Sequence, residues 1–247
     1  MNAHPFKDRL LLLTGANGGI GREVARQFRA AGANLLLTDI DIAGLEVFAA
    51  TLQDGVGKVR CMRMDAQSTA DADEAVRIAR DEFGGVDFFV PSAGIYLAHP
   101  VREMTDEQWR QTIGINLDGV FFLTRRVVPV LRPDSSIVFI SSLAAHRGAF
   151  YNAHYSASKG ALLSLTRSLA RELGPETRVN AVSPGVIDTP MASELIKMRG
   201  EASIAQTPLK RLGQPGEVAS VIRFLCSQDA SFVNGETLHV NGGIHME

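Results

Sequence analysis

Seven short apolar runs recur along the chain: Leu10–Leu13, Leu35–Thr38, Val59–Met62, Val86–Val90, Ile137–Ile140, Val179–Val182 and Leu238–Val240. They read as continuous rather than alternating, broken only by single polar residues such as Arg60, Asp87, Asn180 and His239, the pattern of strands covered on both faces. Stretches of helical periodicity lie between them. Gly21–Ala31 puts Val24 and Phe28 on one face and stops at Gly32, a good C-cap. Thr105-Asp106-Glu107-Gln108 is a capping-box pattern opening a long helix that reaches Leu131, with Pro133 beyond its end. Another helix is expected from Tyr155 to Leu173, ended by Gly174-Pro175. This repeated β–α order predicts an α/β fold, a single doubly wound parallel sheet of Rossmann type with helices on both faces. No linker, low-complexity tract or repeat interrupts it, so residues 1–247 are expected to form one domain.

Charge narrows the partners. The chain carries 25 basic and 27 acidic residues, a formal net charge of -2, with no basic tail and no like-charge block. Nucleic acid and membrane are therefore not expected as partners. Arg125-Arg126 falls within a helical pattern and reads as a solvated face. Cys61 and Cys226 lie far apart in apolar segments and are expected as buried free thiols. No Cys/His cluster has metal-ligand spacing, so no metal is expected. The amino-terminal stretch holds an apolar run of only four residues, Leu10 to Leu13. A signal peptide needs about 7–15 and a membrane span about 20, so a cytoplasmic protein is expected.

The first strand runs directly into Thr14-Gly15-Ala16-Asn17-Gly18-Gly19-Ile20-Gly21. Glycines let backbone N–H groups approach a pyrophosphate, and a helix beginning near Gly19 points its positive end at it. The spacing is neither G-x-G-x-x-G nor a Walker A loop. A glycine-rich turn with no ligand is the other reading of this stretch. Asp39 ends the second strand, 20 residues after Gly19. A carboxylate there can accept both ribose hydroxyls of NAD and would repel the 2′-phosphate of NADP. Ala16 and Asn17 offer no cation to compensate, and Asp41 adds negative charge. Asp39 also reads as a helix N-cap, and the two roles are compatible.

Tyr155 sits four residues before Lys159 in "HYSASKG", so the two side chains share a helix face. An isolated pair of this kind is ordinarily a surface feature. Here it stands with the glycine turn Thr14–Gly21, Asp65 after the third strand, Ala93-Gly94 after the fourth, Asn116 in "INLDGVF", Ser142 in "ISS" and "PGVIDTP" from Pro184 to Pro190. Thirteen residues separate Ser142 from Tyr155. In this order and register the chain resembles the short-chain dehydrogenase/reductase family along nearly its whole length. Within it the chain looks most like the β-ketoacyl-carrier-protein reductases and related NAD-dependent alcohol dehydrogenases, most visibly in "GETLHVNGG". It departs from the family at Pro91-Ser92, where Asn-Asn usually precedes Ala-Gly.

The resemblance implies hydride transfer between NAD(H) and a secondary alcohol or ketone. Tyr155 would carry the proton, its phenolate favoured by Lys159 and by the oxidised cofactor's positive ring. Ser142 would hydrogen-bond the substrate oxygen, Lys159 would also hold the nicotinamide ribose, and Asn116 would anchor a water linking Lys159 to solvent. The implied cofactor contacts are Gly15, Asn17, Gly19, Ile20, Gly21, Asp39, Ile40, Asp65, Ala66, Ala93, Gly94, Tyr155, Lys159, Pro184, Gly185, Ile187 and Thr189. His146 and His154 lie near the site and read as pocket-wall or loop residues rather than acids. Residues 188–212 are expected to form a substrate lid whose apolar face is Met191, Leu195, Ile196 and Met198. A homotetramer is implied, and apolar residues such as Phe121, Phe122, Leu163 and Leu165 cannot all face one core. The alternative is a 3-oxoacyl-carrier-protein reductase of fatty-acid synthesis. The loops "RPDSS" and "GPETR", taken as lying at the site mouth, carry Asp134 and Glu176 beside Arg132 and Arg178, a weak attraction for an acidic carrier. A small-molecule substrate is therefore expected.

Overall fold

The seven apolar runs are the seven strands. A computed structural model of the chain describes residues 4–52 and 55–246. In it β1 (Leu10–Thr14), β2 (Asn34–Asp39), β3 (Val59–Arg63), β4 (Val86–Pro91), β5 (Leu131–Ile140), β6 (Thr177–Pro184) and β7 (Thr237–Val240) form one parallel sheet. The strand order is β3-β2-β1-β4-β5-β6-β7. The winding direction reverses between β1 and β4, so the connections leaving these neighbours diverge to opposite faces. That divergence opens a crevice beyond the carboxyl ends of the strands.

The helices are α1 (Gly19–Ala30), α2 (Ile42–Ala50), α3 (Thr69–Phe83), α4 (Asp106–Ile113), α5 (Gly119–Val127), α6 (Ala144–Arg147), α7 (Ala153–Glu172), α8 (Ser193–Gln206) and α9 (Pro215–Cys226). Successive side chains of one strand serve opposite faces. Leu11, Leu13, Leu35 and Leu37 pack with Val24 and Phe28 of α1 and Ile222 and Leu225 of α9. Leu10, Leu12 and Leu36 pack with Ile78 of α3, Leu123 of α5 and Leu162 of α7. Two covered faces explain why these strands read as unbroken apolar runs. The outermost strands are less covered. Cys61, on β3, is therefore half-buried rather than buried as expected, whereas Cys226 is buried; both are free thiols.

The expected helix from Thr105 to Leu131 is interrupted. Its capping box forms, with Thr105 Oγ1 accepting from Gln108 N and Gln108 Oε1 accepting from Thr105 N. After α4, however, Gly114–Asp118 makes a π-helical turn before α5 resumes. A Cβ on Gly119 would come within 2.2 Å of the Ala66 carbonyl, so the helix crosses the loop after β3 at a distance only glycine allows. A short 3-10 turn follows at Val128–Val130, and Leu131 already belongs to β5. Pro133 thus lies inside a strand, where the register with β4 slips between Val86 and Phe88 and its missing donor is tolerated. Pro91 is the last residue of β4, opposite Thr14, likewise a strand end.

Candidate functional site

A cavity of about 540 Å³ lies at the carboxyl ends of the strands, centred on the β1/β4 reversal. Its floor is the β1–α1 turn. Gly15 has φ of +61°, and a Cβ there would sit 2.7 Å from the Ala93 backbone. A Cβ on Gly21 would sit 2.2 Å from the Gly15 carbonyl. The turn is therefore pressed against the loop after β4 and against the start of α1. Gly18, the N-cap of α1, places no side-chain cap on the helix. The first N–H groups of α1 accordingly open toward the cavity, a site suited to a phosphate.

Asp39 closes the far side of this turn. Its Oδ2 accepts from Asn17 N at 2.9 Å and its Oδ1 from Asp41 N at 3.1 Å. The cap of α2 falls to Asp41 instead, whose Oδ1 accepts from Gly44 N at 3.1 Å. The fold also brings in a cation absent from the local turn: Arg22 donates to Asn17 Oδ1 at 2.7 Å and lies 5.2 Å above the Phe48 ring. Asp65 and Ala66 line the cavity after β3, and Ile40 forms part of its rim.

The chemistry-bearing side chains stand on the opposite wall. Beyond β5, Ser141 N donates to Val182 O and Leu143 N to Pro184 O, carrying the ladder with β6 past the end of the strand. Ser142 is thereby held at the cavity edge. Tyr155 lies in the first turn of α7, with Lys159 one turn later. Lys159 is buried, and its Nζ donates to Ile140 O at 2.9 Å and sits 5.8 Å from the Tyr155 ring centroid. Burial lowers the Lys159 ammonium to about 8. Burial pushes the Tyr155 phenol up to about 12, against the opposing pull of its hydrogen bond with Ser142. In the polypeptide alone the phenol thus stands above its ordinary value rather than below it, because burial is the largest influence on it.

Asn116 sits in the π-helical turn, fully buried. Its side-chain amide grips Ile95, donating to the Ile95 carbonyl and accepting from the Ile95 N–H, both at 2.9 Å. A Cβ on Gly94 would lie 3.1 Å from Asn116 Oδ1 and 3.8 Å from Lys159 Nζ, so Gly94 is the thin wall between them. Asn116 alone among the expected site residues stands behind the cavity surface. Gly15, Asn17, Gly19, Ile20, Gly21, Asp39, Ile40, Asp65, Ala66, Ala93, Gly94, Ser142, Tyr155, Lys159, Pro184, Gly185, Ile187 and Thr189 all line it.

Sequence reasoning missed Tyr96. Its ring meets that of Tyr155 edge-on at 4.7 Å, and it lines the cavity two residues beyond Gly94. Position in a loop leaving a strand's carboxyl end was the available signal. Three expectations need correction. Of the proposed lid face, Met191 and Leu195 reach the cavity, while Ile196 packs beside Gly200 and Met198 is 66% exposed. The loops holding Asp134 and Glu176 precede or open β5 and β6, so they lie at the amino end of the sheet, away from the cavity. Arg132 there binds Asp87, and Arg178 binds the carbonyls of Val233 and Ser227. Within one chain their charge has no bearing on the mouth. His154 is a buried residue of the first turn of α7, its Nδ1 accepting from Tyr155 N at 2.9 Å, and His146 lies in α6; neither lines the cavity, so they are helix residues rather than the pocket-wall or loop residues expected.

Among the described residues no helix is long and apolar enough to cross a membrane. A family described as enoyl-(acyl carrier protein) reductase matches residues 15–245. The 3-oxoacyl-acyl-carrier-protein reductase of Vibrio cholerae is 34% identical over 98% of this chain and 99% of its own. The meso-2,3-butanediol dehydrogenase of Serratia marcescens is 31% identical over 96% of this chain and 95% of its own. Among solved structures, a Brucella melitensis protein described as a short-chain dehydrogenase/reductase, glucose/ribitol dehydrogenase, superposes with a TM-score of 0.95 at 58% identity over 99% of both chains. Levodione reductase superposes with a TM-score of 0.91 at 33% identity over 96% of this chain and 98% of its own. With these relatives spanning the whole fold and the cavity, the chain belongs to the short-chain dehydrogenase/reductase family of nicotinamide-dependent oxidoreductases.

Proposed function

We propose that this protein interconverts a secondary alcohol and a ketone using NAD(H), with Tyr155 as the proton-carrying residue. The observation that carries the reading is that the Tyr155 phenol and its partner Ser142 face the same cavity that the Gly15–Gly21 turn closes. The residues present fit a dinucleotide. The turn is a backbone cradle, α1 opens its N-terminus onto it, and Asp39 presents two carboxylate oxygens at the ribose position. When bound, the cofactor supplies or accepts the hydride. Ser142 donates to the substrate oxygen and Tyr155 gives it a proton in reduction or takes one in oxidation. Lys159, held by Ile140 O, orients the ribose and places a positive charge near the phenol. Asn116 fixes the Ile95 backbone behind Gly94, and a water anchored there would connect Lys159 to solvent.

The preference for NAD over NADP rests on Asp39 and Asp41. A 2′-phosphate beside two carboxylates is disfavoured, and Arg22 is already engaged by Asn17 and Phe48. Residues 188–212 act as the lid, and residues 1–247 as one domain. Exposed Phe121 and Phe122 on α5 support the reading of a homotetramer, and a cytoplasmic location accompanies the reading as a whole. The second reading, a 3-oxoacyl-carrier-protein reductase, is favoured by relatives of that name at 34–36% identity.

The test is a spectrophotometric screen of secondary alcohols and of β-ketoacyl groups on coenzyme A or carrier protein, with each cofactor. NAD(H) is expected to be preferred at least tenfold in kcat/KM, about 1.4 kcal/mol, and Asp39→Ala to narrow that margin. Equal use of NADPH by the native enzyme would overturn the cofactor assignment. A carrier-linked substrate favoured a hundredfold would install the second reading.

A further inference from the structure

We propose that His146, His239 and His245 form a transition-metal site separate from the catalytic cavity. The three residues come from α6, β7 and the segment after β7, so no local spacing announces them. Their candidate ligand nitrogens all lie within 4.8 Å of one another. The ring centroids are 4.7, 5.1 and 5.2 Å apart, and all three residues are half-buried. None of them lines the catalytic cavity.

The cluster is built rather than fortuitously close. His239 is in register with Ser183 in the sheet. His146 N donates to Leu143 O within the turn that follows Ser142. The terminal segment is tied down on both sides of His245: Arg147 Nη1 donates to Ile244 O at 3.0 Å, and Asn241 Nδ2 to His245 O at 2.9 Å. Asn241 Oδ1 in turn accepts from Gly243 N at 2.9 Å. Two regions far apart in sequence, the α6 turn and β7 with the segment that follows it, are thereby held around the imidazoles.

The donor chemistry selects the ion. Three imidazoles suit zinc, nickel, cobalt or copper, whereas magnesium and calcium take oxygen ligands. Nitrogens sharing one tetrahedral zinc stand roughly 3.3 Å apart, so the imidazoles need to close by at most about 1.5 Å, within side-chain rotation. Partial exposure leaves an ion a path from solvent and room for water as a further ligand. The site would clamp the carboxyl-terminal segment to the turn that carries Ser142, so its occupancy acts first on stability.

The experiment uses the full-length, tag-free, chelator-stripped protein with Cys61→Ser as background, so that the half-buried thiol does not compete. Calorimetric titration with ZnCl₂ should give one ion per chain with Kd at about micromolar or tighter. Saturating zinc should raise Tm by about 3 °C or more. Cobalt(II) should give visible ligand-field bands. His146→Gln, His239→Gln and His245→Gln should each weaken zinc binding at least tenfold, and His4→Gln should leave it unchanged. NADH binding, followed by nicotinamide fluorescence, verifies that each variant is folded; one that fails is replaced by the Asn substitution. Absence of saturable binding below about 100 µM would overturn the proposal. So would binding that survives all three substitutions.

Discussion

Lys159→Met should stabilise the protein without cofactor while destroying its activity. Lys159 is buried and its ammonium falls from 10.5 to about 8 because of that burial. In the unfolded chain the side chain stays charged to about pH 10.5, in the folded chain only to about 8. Between these values folding releases a proton, so stability rises with pH through the window and the full cost is carried below pH 8. A fall from 10.5 to about 8, at about 1.4 kcal/mol for each step of one, corresponds to about 3–4 kcal/mol. Methionine keeps most of the aliphatic stem but leaves Ile140 O without its donor, which costs about 1 kcal/mol. The net gain at pH 7 is then about 2–3 kcal/mol, a rise in Tm of about 4–12 °C for a chain of this length. Thermal melts at pH 7 and pH 10 provide the assay, and the gain should shrink toward zero at the higher pH. A lower Tm at pH 7, or an equal rise at both pH values, would refute the reasoning.

Tyr155→Phe should nearly abolish turnover while NADH binding stays within a few-fold; retention of most activity would remove Tyr155 from the proton relay. Gly15→Ala forces a side chain into φ of +61° and against the Ala93 backbone, so urea unfolding should show a loss of about 2 kcal/mol or more, with weakened cofactor binding. Leu195→Ala, on the cavity wall, should change KM for bulky ketones several-fold, whereas Met198→Ala, pointing to solvent, should leave KM unchanged. Equal effects of the two would mean that the lid closes on a different face of α8.

Much of this was legible in the sequence because the governing constraints are local. Leu10–Leu13 and Leu35–Thr38 read as strands because both faces of a central parallel strand are apolar. The pairing of Tyr155 with Lys159 follows from one helical turn. The π-helical turn at Gly114–Asp118 was not legible, nor was the close passage of Gly119 over Ala66 that follows it, a contact made by the fold. The edge-on meeting of Tyr96 with Tyr155 and the convergence of three histidines are likewise tertiary. The rise of Tyr155 to about 12 depends on burial, which no spacing reports. The misplacement of Asp134 and Glu176 was avoidable: both stand at the entry of a strand, and in a parallel sheet entries and exits lie at opposite ends.

That polarity has a practical consequence. At the entry end, the Asp87 carboxylate holds Arg9, Arg132 and the Leu10 N–H together. At the exit end lie the cavity and every residue assigned to chemistry. The sheet is about one strand length thick between them, so substitutions at the two ends share few neighbours and should combine additively. A directed-evolution campaign can therefore treat the molecule as two separate libraries. Variants screened for durability would be drawn from around Asp87, variants screened for a new ketone from the loops after β4, β5 and β6, and the winners of each could be merged in a single step.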